Sequence, residues 1–465
     1  MTSPEQNLDK HIQILLDKAE NDGKIDIDII KKAIEFGKKS HHGQYRKNGD
    51  YFFIHPVRVA TKATDYNLDT NTVVSSLLHD TVEDTEGQQA KELTQQKLLQ
   101  TFGQTVFDLV EALTKVIKNQ HLTLLKIIEL GSVDFRVILI KLLDRLDNLS
   151  DLNYLSRKKQ RRICQESATI YSEIAHGLGL IEIEEELNNL IFKQLYPFAF
   201  QKISKELVNF YQERQLAIQQ IVENISTHVD PDSVHSVEPE YAKPQEFLYD
   251  RQEIVKILNS IIIQTHDAMG CYKVLGNIHT NFRSVPLNIY DYISNPKANG
   301  WRGISTKVVV NGEQIQIHIV TTKFHENNRK GVLTLINEGI YHSENYREFL
   351  QLYMDVASDT IRIEDVFRRS KEKTIQTMTP AGDIIELRYG STILDFAFMV
   401  HSKLGLKAAG GIIDRVRYPR NKILEDGMVV KVIKSSAITA EEDWINDVVM
   451  PKSRKEIIKY LHLQE

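Results

Sequence analysis

Apolar residues recur every three to four positions through most of the first 195 residues, a period that predicts helix after helix. In DIIKKAIEFGKKSHH, Ile30, Ala33, Ile34 and Gly37 fall on one stripe. Similar stripes run through TNTVVSSLLHDTVED, VFDLVEALTKVI and FRVILIKLLDRLDNL. Asp69 or Thr70 is placed to cap the second of these helices, and Pro56 suits a first helical turn, where a missing N–H is no loss. A longer, charged helical stretch follows through Tyr196-Pro197 to about residue 225. Residues 227–245, THVDPDSVHSVEPEYAKPQ, lack periodicity and read as a linker. The pattern then shifts to strand lengths: NSIIIQT, KVLGNI, STKVVV and EQIQIHIVT. These predict an α+β domain over 196–345 and a connecting helix over 346–371. TIQTMT and IIELRY flank the Pro380-Ala381-Gly382-Asp383 turn, then come a helix in LDFAFMVHSKLG and strands ending in MVVKVI. That order over 372–435 predicts a small β-grasp fold, and 436–465 reads as a polar helical segment.

Composition narrows the function classes. A chain of 465 residues suits three domains, and 42% hydrophobic with 26% charged residues is a soluble globular balance. No apolar run reaches membrane-spanning length and the first residues lack the apolar core of a signal peptide. Cys164 and Cys271 are the only cysteines, so a disulfide framework is not expected and a cytoplasmic location fits. A net charge of −5 argues against DNA or broad nucleic-acid binding, but not against one local phosphate site.

Candidate chemistry clusters in the helical part. LLHDTVEDT places His79, Asp80, Glu83 and Asp84 at the end of an apolar run; on a helix His79 would face Glu83, and Asp80 would face Asp84. Ionisable groups there need a counter-charge, and imidazole with carboxylate suits a divalent ion such as Mn²⁺. Asp144 interrupts the apolar VILIKLLDRLDNL and calls for Lys141, Arg145 or a cation. His55 in YFFIHPVRVA is a third candidate ligand. Singly, each has a plain alternative: a core histidine, or an ion-paired aspartate. Jointly they point to a metal site. Arg46 and Lys47, on the glycine-containing loop before His55, suit phosphate, whereas SRKKQRR (156–162) reads more simply as a solvated helix face.

HHGQYRKNGDYFFIHPVRVA, LLHDTVEDT and VILIKLLDRLDNL resemble the HD-type hydrolase domain of RelA/SpoT homologues, the enzymes of (p)ppGpp metabolism. CYKVLGNIHTNF and DYISNPKANGW resemble that family's synthetase domain, and MTPAGDIIELRYGSTILDFAFMVHSKLG its TGS domain. The resemblance implies a multidomain chain: an all-α HD domain over 1–195, an α+β nucleotidyltransferase-like domain, and a β-grasp TGS domain. It implies Mn²⁺-dependent removal of the 3′-pyrophosphate from the guanine nucleotide (p)ppGpp. His55, His79, Asp80 and Asp144 would hold the metal, with Glu83 and Asp84 handling the attacking water. Arg46, Lys47, Asn148, Lys141 and Arg145 would meet the nucleotide. Asp147 stands where the family usually has His, and Asp151 where it usually has Thr; this negative charge should weaken binding unless Lys141, Arg145 or a second cation offsets it. In the middle domain Asn259 and Gln316 stand at acidic metal-binding positions, Gln264 at a usual Arg and Ser305 at a usual His. Trp301 replaces a purine-stacking Tyr. The expectation is a synthetase remnant without activity. His401 matches a histidine that contacts tRNA on the ribosome in relatives, so a tRNA or ribosome contact through TGS is a further expectation. Two competing readings are a non-catalytic scaffold or regulator and an HD phosphohydrolase for another nucleotide; the intact Glu83 and Asp84 favour catalysis.

Overall fold

The computed structural model describes residues 3–83, 85, 87–114, 131, 133–248, 260–294, 296–297, 300–341, 374–388, 390–413, 415–425, 427–437 and 440–462. Asp84, Asn259 and the expected connecting helix over 346–371 lie outside these. The chain divides into two compact units, 1–354 and 355–465.

The first unit opens with helices α1 (Pro4–Asp22), α2 (Ile27–Ser40), α3 (Ile54–Asp65), α4 (Thr70–Leu78), α5 (Gln88–Leu113) and α6 (Phe135–Ser150). Caps fix their starts. Asp26 accepts from the backbone N–H of Asp28 and Ile29, and Asp69 from that of Thr72. Helix α6 is buried almost from end to end, its charged Arg136, Lys141 and Asp147 included. It packs against α3, α4, α5 and the Ile181–Leu195 helix, so anything carried on α3, α4 and α6 converges at the centre. Gly37 permits the close approach of Phe53: a Cβ there would meet the ring at 2.1 Å.

Two expectations fail in instructive ways. Helix α4 stops at Leu78, with His79 as its C-cap and residues 80–83 in turns. The helical pairing of His79 with Glu83 therefore does not arise, and that of Asp80 with Asp84 involves a residue outside the described ones. The expected linker over 227–245 contains strand β1 (Val234–Glu240), antiparallel to β2 (Ser260–Thr265). Pro239 is tolerated because β1 is an edge strand, and its irregular burial left no alternation to read.

The middle sheet runs β1-β2-β5-β4-β3, with β3 at Arg283–Asp291, β4 at Ile304–Val310 and β5 at Glu313–Thr321. Only β2 and β5 pair in parallel. KVLGNI, expected as a strand, lies instead in the helix Ala268–Asn281, capped by Asp267. Cys271, Val274 and Ile278 face the sheet from it; their spacing spans more residues than a six-residue window reveals. This domain docks on the first through Gly331, whose φ of +52° lets Val332 N–H donate to Leu178 O at 3.0 Å.

The second unit has strands β6 (Thr374–Met378) and β7 (Ile384–Arg388), a helix (Ile393–Val400), then β8 (Ala408–Ile413), β9 (Val416–Tyr418) and β10 (Lys431–Lys434). Met378 bridges to Val429 in parallel, joining the two sheets in the expected β-grasp manner. The Pro451–His462 helix packs on the Ile393–Val400 helix, covering buried Trp444. His401 accepts from Lys403 N–H, a local cap. Among the described residues no helix is long and apolar enough to cross a membrane.

Candidate metal and nucleotide site

His55 enters from the first turn of α3, His79 and Asp80 from the end of α4, and Asp144 from the middle of α6. The expected cluster forms. His55, His79 and Asp80 each offer a ligand atom within 4.8 Å of the other two. Asp144 completes the group, its Oδ1 lying 3.1 Å from His55 Nε2 and 4.0 Å from His79 Nε2. The His79 Nδ1–H donates to the Ser76 carbonyl at 2.7 Å, which fixes the tautomer and leaves a lone pair on Nε2. That buried Nε2 makes no hydrogen bond, although Asp80 Oδ2 lies 3.3 Å away. An orphaned imidazole nitrogen facing two carboxylates and a second imidazole is a donor set that fits a divalent cation.

The electrostatics are those of compressed opposite charge. Burial opposes charging His55, yet hydrogen bonds to Asp144 and Asp147 prevail and hold its pKa at about 9. Burial also opposes ionising Asp80 and Asp144. The neighbouring His79 for Asp80, and Lys141 with His55 for Asp144, nonetheless keep both carboxyls well below the usual range.

A cavity of about 530 Å³ opens beside this cluster, within the usual size of small-molecule sites. Asp144 reaches it, with Arg46, Lys47, Lys141, Arg145 and Asn148 on its walls. Lys141 Nζ lies 3.4 Å from Asp144, and Asn148 donates to Asp144 Oδ1 at 2.6 Å. Arg145 donates to Glu166 and lies 4.0 Å over the Tyr171 ring, so it is a pinned wall rather than a mobile arm. Glu83 is half-buried in the turn after Asp80. Lys159 and Arg162 also line the cavity, so part of the basic run read as a solvated face turns toward the site.

The two unusual aspartates are neutralised, but not by Lys141 or Arg145. Arg58 grips Asp147 with two hydrogen bonds, at 2.6 and 2.9 Å, and Asp151 with a third. Arg46 lies 3.3 Å from Asp147 and 2.9 Å from Asp151. Burial works against charge on Asp147, yet His55 and Arg58 hold its carboxyl well below the usual range. Sequence reasoning missed Arg58. The available signal was spacing: Arg58 follows His55 by three residues and Asp147 follows Asp144 by three, so each pair shares a helix face.

In the middle sheet the counterpart positions are neutral. Gln316 Nε2 donates to Ser305 Oγ at 2.9 Å and to the Thr306 carbonyl at 2.8 Å. Gln264 is buried on β2. Trp301 lies edge-on to Tyr292 and His318, with Lys297 Nζ 5.2 Å from its ring centre.

Known proteins place this geometry in a family. An HD domain model matches residues 33–181, a model for a region found in RelA/SpoT proteins matches 242–345, and a TGS domain model matches 375–434. A guanosine-3′,5′-bis(diphosphate) 3′-pyrophosphohydrolase of Aquifex aeolicus is 30% identical over 94% of this chain and 65% of its own length. A like-named protein of Haemophilus influenzae is 30% identical over 91% of this chain and 66% of its own. The bifunctional (p)ppGpp synthase/hydrolase SpoT of Escherichia coli is 31% identical over 93% and 64%. The chain thus spans a little under two thirds of the length of these curated relatives. With HD, RelA/SpoT and TGS domains in that order, the chain belongs to the RelA/SpoT homologue family.

Proposed function

We propose that the chain is a metal-dependent phosphohydrolase that removes the 3′-pyrophosphate from (p)ppGpp, giving GDP or GTP and pyrophosphate. The observation that carries this reading is the buried, unbonded His79 Nε2 facing His55, Asp80 and Asp144 at the edge of a cationic cavity. The curated relatives, named as (p)ppGpp hydrolases, support the same chemistry. His55, His79, Asp80 and Asp144 would hold the ion, and two imidazoles with two carboxylates suit Mn²⁺. Such an ion, when bound, lowers the pKa of water and offsets charge on the scissile pyrophosphate. The protein's own groups do the rest. Glu83 and Asp84 take up the proton of the attacking water as general bases. Lys47, Lys141 and Arg145, with Lys159 and Arg162 at the rim, gather the polyphosphate in a partly enclosed cavity where cations act more strongly than in bulk water. Arg46, already committed to Asp147 and Asp151, acts as an ordered planar wall for base or ribose, together with Asn148.

The middle domain is, in this reading, a synthetase remnant. Gln316 has turned its amide onto Ser305 and Thr306, a closed neutral pair with no charge to hold Mg²⁺. The TGS unit is read as regulatory; a tRNA or ribosome contact stays a proposal that no contact of His401 supports. Incubation of the chain with ppGpp and Mn²⁺ tests the central claim, release of GDP and pyrophosphate being the expected result. Cleavage of a different 3′-phosphorylated nucleotide, with ppGpp untouched, would redirect the assignment. Formation of ppGpp from ATP and GDP with Mg²⁺ would overturn the remnant reading.

A further inference from the structure

Asp147 was expected to burden the substrate with negative charge, yet it does not line the cavity at all. It lies behind His55, 3% exposed, with Oδ2 2.6 Å from His55 Nδ1. The opposite nitrogen, Nε2, faces Asp144 at 3.1 Å and Asp80 at 3.8 Å. A carboxylate behind the second nitrogen of a metal-binding imidazole fixes the ring's orientation and places its proton on the far side.

We infer that Asp147 is the positioning residue of the metal centre: it accepts from His55 Nδ1–H, aims the Nε2 lone pair at the ion, and is itself held by Arg58. The inference rests on the metal-dependent reading above. Three features of this chain belong together on that view. Arg58, one turn along α3 from His55, presents its planar fork to both oxygens of Asp147, which prevents the carboxylate from rotating off the imidazole. Asp151, one turn beyond Asp147 on the α6 face, accepts a second bond from the same Arg58 Nη2 and also pairs with the Arg46 guanidinium. Two arginines therefore face two aspartates, and the added negative charge is cancelled locally before it reaches the nucleotide. His79 achieves the same fixation differently, through the Ser76 carbonyl. Both imidazoles are thus oriented from behind: one by backbone, one by a carboxylate whose own geometry an arginine fixes.

The test is Mn²⁺ binding to the full chain, measured by calorimetry or by the electron paramagnetic resonance signal of free Mn²⁺. Asp147→Ala is expected to weaken binding by about 10- to 100-fold. Asp147→Asn keeps an oxygen for the His55 N–H and should restore affinity to within a few-fold of the parent. Arg58→Met frees the carboxylate to rotate but keeps it beside His55; it should lower the thermal midpoint and weaken Mn²⁺ binding by less than Asp147→Ala. An Asp147→Ala protein with a lowered thermal midpoint but unchanged Mn²⁺ affinity would reduce the cluster to a structural ion pair and overturn the inference alone. Parent chain that binds no Mn²⁺ would overturn the metal reading and this inference with it. Should Asp147→Ala fail to fold, ring ¹⁵N shifts of the parent loaded with diamagnetic Zn²⁺ decide the point. A proton on His55 Nδ1 supports the assignment, and a bare Nδ1 refutes it.

Discussion

The centre of the first domain and the Gln316 face of the middle sheet both carry polar side chains on elements that are otherwise core, and they handle them in opposite ways. Around His55 the protein keeps full charges buried and balances each with another: Asp80 and Asp144 against imidazoles, Asp147 and Asp151 against Arg58 and Arg46. Around Gln316 the bonding is neutral, an amide, a hydroxyl and a carbonyl closed on one another, with Lys307 opposite on β4. Buried charge is expensive unless paired and is retained where chemistry requires it. A neutral hydrogen-bonded pair costs little and does nothing to a phosphate. The two regions thus differ in the charge they hold: a network of paired charges in one, a relaxed neutral hydrogen-bonded trio in the other.

The largest effect expected from breaking this contrast is on the charged side. Asp80→Ala removes a ligand carboxylate and should lower ppGpp turnover by more than about 10³-fold, or about 4 kcal/mol of transition-state stabilisation. Steady-state release of pyrophosphate reads it, and near-parental turnover would refute the ligand assignment.

Next comes a pH effect on the relaxed side. His318, against Trp301 on β5, has its pKa pushed down to about 4, by burial above all, with Lys297 adding to it against Glu240. An unfolded histidine takes up its proton near pH 6.5, so this neutral imidazole contributes stability above that pH that is lost as pH falls toward 4. The loss is roughly 3 kcal/mol at full extent. Denaturant titrations at pH 7 and pH 4 should show the His318→Phe protein losing less stability than the parent; equal losses would rule out a buried neutral imidazole.

A smaller change sharpens the comparison further. Gln316→Glu turns two donated hydrogen bonds into a carboxylate set against the Thr306 carbonyl and should cost about 1–3 kcal/mol without restoring synthetase activity. Gain of ppGpp synthesis in that variant would mean the site is one substitution from active. Last, Tyr341 donates to Asp69, the cap of α4, while Arg136 at the start of α6 lies 3.7 Å over its ring. Tyr341→Phe keeps the ring and loses the hydroxyl, so about 0.5–1.5 kcal/mol of stability is expected to go. Turnover should hardly change; a large fall in turnover would show that the middle domain tunes the metal-bearing helices.

Local rules read much of this chain correctly. Asp69 caps α4, α6 is buried along most of its length by its many apolar positions, and the β-grasp order follows from strand, turn, strand and helix patterns. They failed where a short window was ambiguous. KVLGNI has too few residues to distinguish a strand from a helix, and VHSVEPE pairs with β2 despite a proline and no alternation. They failed too at His79, where the helix ends one residue before the motif, a boundary that no breaker residue in the sequence marks.

Residue types and their spacing were enough to pick out four side chains that the fold brings together, since an imidazole or carboxylate in an apolar run needs a partner wherever the chain goes. Which partner it finds is a different matter. Arg58 and Asp147 lie 89 positions apart, and nothing local in either segment says that α3 and α6 cross with these faces together. Packing of α6 through the core decided that Asp147 would stand behind His55 instead of in the cavity, and that Lys159 and Arg162 would turn toward it. Long-range contacts are set by how whole elements pack, and so the charge balance of this site belongs to the tertiary structure.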